Sequence, residues 1–114
     1  MDRRGSALSR ELIFARDHYR CVYCGRVYPV EELSLDHVQP RARGGDRSAG
    51  NLVTACRGCN VLKGHRSIAA FLADNPEART NFFLYSTGVW NRHLEAVEQE
   101  LRGLLEGRAR KRPP

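Results

Sequence analysis

Cys21-Val-Tyr-Cys24 and Cys56-Arg-Gly-Cys59 constrain the architecture of this chain more than any other stretch. They hold all four of its cysteines, with 31 residues between them. The N-terminus carries charges but no apolar run like that of a secretory signal, so a reducing, cytoplasmic compartment is expected and a disulfide framework is not. Two Cys-x-x-Cys knuckles instead place four thiolates where they can surround one tetrahedral Zn²⁺, a closed structural site. Gly25 and Gly58 suit the tight turns of such knuckles. A redox pair and four buried structural thiols are the competing readings. A zinc ion would act as a staple, because its binding free energy is also folding free energy.

A staple matters at this size. The chain has 114 residues, enough for one domain and a small core. At 41 % hydrophobic and 28 % charged residues it reads as ordinary globular material. Purely apolar runs reach about four residues, as from Leu12 to Ala15, so no membrane span is expected. The net charge of +6 is unevenly spread. Residues 1–40 balance six basic against six acidic side chains, whereas residues 41–66 carry six against one. Residues 67–107 are at −3, and Arg108, Arg110, Lys111 and Arg112 restore +4. A basic middle segment points to a polyanionic partner, nucleic acid first, against the alternative of plain solubilising charge.

Outward from the knuckles, Ser6 or Ser9 can cap a helix running to about His18, with Leu8, Leu12, Ile13 and Phe14 toward its apolar side. A turn follows at Tyr28-Pro29. Leu33 to Val38 alternates as a short strand, Pro40 stops it, and Arg41 to Gly50 reads as a basic, glycine-punctuated loop. Asn51 to Ala55 is the second strand. A helix starts near Gly58–Asn60, and Ser67 caps another over Ile68 to Ala73, ended by Asn75-Pro76. The last helix is expected from about Thr87 to Leu105, closed by Gly107, with only the final seven residues disordered. Trp90, Leu94, Val97, Leu101 and Leu104 recur on it at heptad spacing, a seam that either packs on the domain or pairs two chains. His18 and Tyr19 are expected against the first knuckle, and His93 on the helix surface. The organisation is thus an N-terminal helix (1–16), a core (17–66), a helical extension (67–107) and a basic tail (108–114).

Asp36 and His37 sit side by side at the first strand's end. Neighbours on a strand point to opposite sides, so one can bind a metal while the other faces a substrate. Asp36 and the Asn60 amide oxygen are ligands suited to Mg²⁺, leaving room for water and phosphate oxygens. His37, with an ordinary pKa near ~6.5, suits proton removal near neutral pH. Singly these residues are weak signals, and Asn51 and Asn60 also read as turn or cap residues.

The ordered set is specific. Cys-x-x-Cys-Gly, Leu-Ser-Leu-Asp-His-Val-Gln-Pro, Gly-Gly, Asn-Leu-Val and Cys-Arg-Gly-Cys-Asn-Val-Leu-Lys-Gly closely resemble the HNH endonuclease family, in its zinc-stapled branch. The resemblance covers about Asp17 to Arg66. It implies an α+β fold, a small ββα-metal core with a structural zinc on Cys21, Cys24, Cys56 and Cys59, flanked by N- and C-terminal helices. It also implies that His37 is the general base, that Asp36 and Asn60 ligate a catalytic Mg²⁺ or Mn²⁺, and that Asn51 orients the base-bearing loop through backbone hydrogen bonds. The chain is then of a His-Asn-Asn type, with His65 outside the motif. DNA is the implied partner, cut to 5′-phosphate and 3′-hydroxyl ends, and a homodimer through the C-terminal helix would allow both strands to be cut. Arg41, Arg43, Arg47, Arg57, Lys63 and Arg66 are candidate phosphate contacts. Two other classes remain: a catalytically inactive zinc-ribbon-like nucleic-acid-binding module, and a redox or zinc-storage protein, which would leave the Asp-His pair and the basic loop unexplained.

Overall fold

The computed structural model describes residues 4–40 and 44–111, so Arg41 and Arg43 of the basic loop lie outside the described residues. Two strands, β1 (Leu33–His37) and β2 (Leu52–Cys56), pair antiparallel with Leu33 opposite Cys56 and His37 opposite Leu52. The expected extra strand residues at Val38 and Asn51 are instead drawn into the connection, where Asn51 ends a short 3₁₀ turn, Ala49–Asn51. Every residue of β2 is buried, because the hairpin is covered on both faces. Thr54 faces helix α1 (Arg4–Arg16), whereas Val53 and Ala55 belong to the apolar cluster completed by the C-terminal helices.

Helix α1 ends earlier than expected because His18 and Tyr19 both adopt left-handed backbone angles, with φ of 59° and 57°. The Tyr19 amide closes this turn onto the Phe14 carbonyl at 2.8 Å. Ile13 and Phe14 are buried, but Leu12 points to solvent; the side chains of the candidate caps and of Leu8 lie outside the described residues. Asp17, just past the helix, accepts bonds from the Thr54 amide and hydroxyl and pairs with Arg16. Arg16 also donates to the carbonyls of Ala49 and Leu52, which ties α1 to both ends of the turn before β2.

Helix α2 (Arg57–Lys63) begins directly at β2, with Cys56 as its N-cap residue. Helix α3 (Ile68–Asp74) starts at Ser67, whose hydroxyl accepts from the Ala70 amide at 3.1 Å. Pro76 ends α3 and occupies the first turn of α4 (Pro76–Tyr85), a helix the sequence pattern leaves unassigned. Proline suits that place because its missing N–H would have no helical partner there.

Helix α5 (Asn91–Lys111) begins after Thr87 and runs through Gly107 to Lys111, so most of the expected basic tail is helical. Arg108, Arg110 and Lys111 oppose the negative end of the helix dipole, and Arg108 docks on Asp74 at 2.8 Å and on the Ala73 carbonyl at 3.1 Å. The heptad seam packs within the chain: Val97 and Leu101 are buried with Ile68 and Leu72, and Leu94 and Leu104 pack at the edge. Trp90 stays half exposed while its ring covers Gly50, where a Cβ would lie 2.1 Å from the indole. His93 is buried and stacks on Trp90, because the backbone at Gly50 comes up against the start of α5. The described helices include none long and apolar enough to cross a membrane.

Candidate functional site

The first knuckle docks on the hairpin through the Val22 amide and the Thr54 carbonyl, 3.0 Å apart, which brings it to the second knuckle at the end of β2. The four cysteine Sγ atoms all lie within 4.8 Å of one another, and Cys24 is 4.0 Å from Cys56. A tetrahedron built on Zn–S bonds of about 2.3 Å has edges of about 3.8 Å, so the cluster has the right size. Amides at Tyr23 and Cys24 donate to Cys21 Sγ, and the Cys59 amide donates to Cys56 Sγ. A hydrogen bond with Cys59 draws the Cys21 thiol down to about 5, against burial, and the same bond pushes Cys59 up. Burial raises Cys24. Four crowded thiols cannot all ionise beside one another; a divalent cation removes that conflict. The Tyr28 hydroxyl, 3.3 Å from Cys24 Sγ, adds a further donor. The donor set therefore fits a tetrahedral metal ion.

Beside the cluster, the strand alternation divides its residues as the sequence suggests. Ser34 and Asp36 share the face of β1 that meets α2, and His37 is exposed. Residues two apart on a strand and three apart on a helix come into matching register here. Asn60 Nδ2 donates to Ser34 Oγ at 2.8 Å, and one turn on, the Lys63 ammonium lies 3.3 Å from Asp36 Oδ2. With its N–H₂ engaged by Ser34, Asn60 keeps its amide oxygen as an acceptor that could serve a cation. A carboxylate and an amide oxygen on facing elements suit a hard cation that keeps water and phosphate in its remaining positions. Asp36 carries two resident partners: Lys63, and the buried Tyr23, whose hydroxyl donates to Oδ2 at 2.6 Å. Tyr23 is a functional contact that the sequence does not announce; its place between two knuckle cysteines is the one local signal.

Asn51 is fully buried and acts as a clamp on the loop that follows His37. Its Oδ1 accepts from the Gln39 amide at 2.8 Å, and its Nδ2 donates to the carbonyls of Gln39 (2.9 Å) and Asp46 (2.8 Å). Its backbone carbonyl receives the Val38 amide. Gly45 must be glycine here, since a Cβ would fall 1.7 Å from the Gln39 carbonyl oxygen.

His37 borders two clefts. One, of ≈ 260 Å³, is shared with Lys63, His65 and Arg66; the other, toward the basic loop, with Pro40, Asp46 and Arg47. Of the candidate phosphate contacts, Arg47 and Arg57 are exposed. Lys63 is instead buried on Asp36, and Arg66 pairs with Asp74 at 2.7 Å while donating to the Leu62 and Lys63 carbonyls. The sequence offers both as candidate phosphate contacts, and their acidic partners lie 27 and 8 residues away in the chain, beyond what local spacing reveals.

An antiparallel hairpin followed by a helix, an Asp-His pair at the end of its first strand and a four-cysteine cluster beside it define a small α+β domain of the ββα kind. Residues 21–75 match the HNH endonuclease family, and over that stretch the chain carries an HNH endonuclease domain. The chain is similar to the CRISPR-associated endonuclease Cas9 of Corynebacterium diphtheriae, 36 % identical over 55 residues, which is 47 % of this chain and 5 % of that protein. Its fold is similar to part of the Type II-C Cas9 enzyme from Actinomyces naeslundii, with a TM-score of 0.53 and 24 % identity over 94 % of this chain and 13 % of that one. That likeness concerns the fold, and it extends into the C-terminal helices. The chain thus spans a small fraction of either protein.

Proposed function

We propose that this chain is a metal-dependent HNH endodeoxyribonuclease that nicks DNA, leaving 5′-phosphate and 3′-hydroxyl ends. The observation that carries the reading is the division of labour at the end of β1: Asp36 faces α2, where Lys63 meets it and Asn60 lies one turn before, while His37 opens onto the clefts. His37, in its neutral form, takes a proton from a water that attacks the scissile phosphorus in line. Asn51 holds the Val38–Gln39 backbone that sets the position of His37. Asp36 and the Asn60 amide oxygen would hold a Mg²⁺ or Mn²⁺, which when bound would supply charge stabilisation for the phosphate and the departing 3′-oxygen. Exposed Arg47 and Arg57, with Arg41 and Arg43, are assigned to the flanking phosphates. Cys21, Cys24, Cys56 and Cys59 would hold a structural Zn²⁺, which would tie the hairpin to the first knuckle.

The endonuclease reading is supported by the HNH endonuclease match over residues 21–75 and by the likeness to the endonuclease of Corynebacterium diphtheriae, and DNA is taken as the substrate from the resemblance to the HNH family. One site cuts one strand, and the seam offered for pairing two chains is occupied within the chain, which favours nicking. The test is supercoiled plasmid with Mg²⁺, with Mn²⁺ or with EDTA. Relaxed circles are expected with either metal and none with EDTA. Binding of plasmid without cleavage under all three conditions would replace this reading by that of an inactive nucleic-acid-binding module.

A further inference from the structure

We infer that Tyr23 is a positioning residue, holding the Asp36 carboxylate in place for divalent-cation binding and making that placement depend on the first cysteine knuckle and on the C-terminal helices. The inference rests on the reading of Asp36 as a metal ligand. The phenol donates to Asp36 Oδ2 at 2.6 Å, the short distance of a charge-assisted bond. Its ring is fixed as firmly as any core side chain. Phe71 of α3 meets it edge-on at 5.2 Å, and Phe82 of α4 stacks on it at 6.1 Å. The Tyr23 backbone is also held at both ends, with its amide on Cys21 Sγ and its carbonyl receiving Asn81 Nδ2 at 2.8 Å.

A strand-end carboxylate has rotamer freedom of its own, and Lys63 is a flexible partner that offers a point charge without direction. The rigid phenol gives Asp36 a directed donor, the arrangement by which ligand orientation is set at metal sites. The bond therefore crosses three parts of the molecule: the knuckle that carries two zinc-type ligands, the aromatic packing of α3 and α4, and the acidic residue at the cleavage site. A purely structural tyrosine at this position would be served equally well by phenylalanine, because the ring contacts need no hydroxyl.

The experiment uses the full chain as Tyr23→Phe, with Asp36→Ala as control. It measures metal content, Mn²⁺ affinity without DNA by the electron-paramagnetic-resonance signal of free Mn²⁺, and plasmid nicking against Mg²⁺ concentration. Tyr23→Phe is expected to keep its zinc and its cooperative melting, to weaken Mn²⁺ binding about tenfold, and to raise the Mg²⁺ concentration for half-maximal nicking by a similar factor. Most of the lost rate should return at saturating metal. Unchanged Mn²⁺ affinity in Tyr23→Phe, where Asp36→Ala abolishes binding, would overturn the inference. So would loss of zinc or of folding in Tyr23→Phe, since the hydroxyl would then be needed for the fold itself rather than for placing the carboxylate. Mn²⁺ binding that survives Asp36→Ala undamaged would instead remove the underlying assignment of the metal site.

Discussion

Residues 17–66 and residues 67–111 share one apolar cluster but differ in what fixes them beyond it. In the first region the strands are five residues each, and the fixed points are polar: Asp17 on Thr54, Asn51 on Gln39 and Asp46, Tyr23 on Asp36, and the four thiols. In the second, Ile68, Phe71, Leu72, Phe82, Val97 and Leu101 interdigitate as an ordinary apolar core. Polar anchors are directional, so they fix geometry to a fraction of an ångström, whereas apolar burial is tolerant of direction and roughly proportional to area. The proposed chemistry sits where the directional contacts are. The helices supply bulk stability and the aromatic bed for Tyr23.

That contrast is breakable, and the largest effect belongs to the cysteines. Cys56→Ser should lose the metal and the fold of the core together, because structural zinc contributes roughly 10 kcal/mol or more in small domains. Metal analysis and circular dichroism decide it; a folded, active, zinc-free variant would mean that polar anchors alone suffice.

His37→Ala comes next. His37 is exposed and its removal opens no cavity, so folding, metal content and DNA affinity should persist while nicking falls by about 10²–10⁴-fold. Wild-type rates in this variant would move the base elsewhere, with His65 in the same cleft the first place to look.

In the helical region, Leu101→Ala should cost about 2–4 kcal/mol in denaturant unfolding, as expected for a buried leucine. At temperatures where the variant is still folded, its half-maximal Mg²⁺ concentration should match that of the wild type. A parallel shift in metal dependence would show that the two regions are less separable than the contacts suggest.

The smallest effect concerns the joint between them. His93 is buried with Nε2 lacking a partner among the described residues, and burial, then the Arg92 charge, lower its pKa from 6.5 against the opposing pull of Asp46. The unfolded chain therefore takes up a proton first as the pH drops through 6.5. Stability contributed by the neutral ring is present above that pH and is lost as pH falls through the lower folded value. Melting at pH 7.5 and 5.5 should show a larger acid-side drop for the wild type than for His93→Gln, by about 1–2 °C, where a full kcal/mol would move a domain of this size by about 4–8 °C. Equal drops in both would assign the acid sensitivity to groups other than His93.

Local signals in the sequence are sufficient for the parts whose physics is local. Cys-x-x-Cys spacing, the alternation through Leu33–His37, the cap at Ser67 and the order of Asp36, His37, Asn51 and Asn60 are all readable in a line, because each depends on a few neighbouring residues or on the period of one element. What required the folded chain is every pairing between distant residues. Lys63 meets Asp36 across 27 positions, Arg108 meets Asp74 across 34, and His93 goes under cover because Gly50 arrives against Trp90. Helix α4 follows the same logic: Pro76 is a stop signal for the element before it and a start signal for the one after, and only packing of Ala78 and Phe82 on the core selects the second role. Tyr23 is the clearest case. Nothing within its own knuckle calls for a hydroxyl; the need for one appears when β1 brings a carboxylate within 2.6 Å.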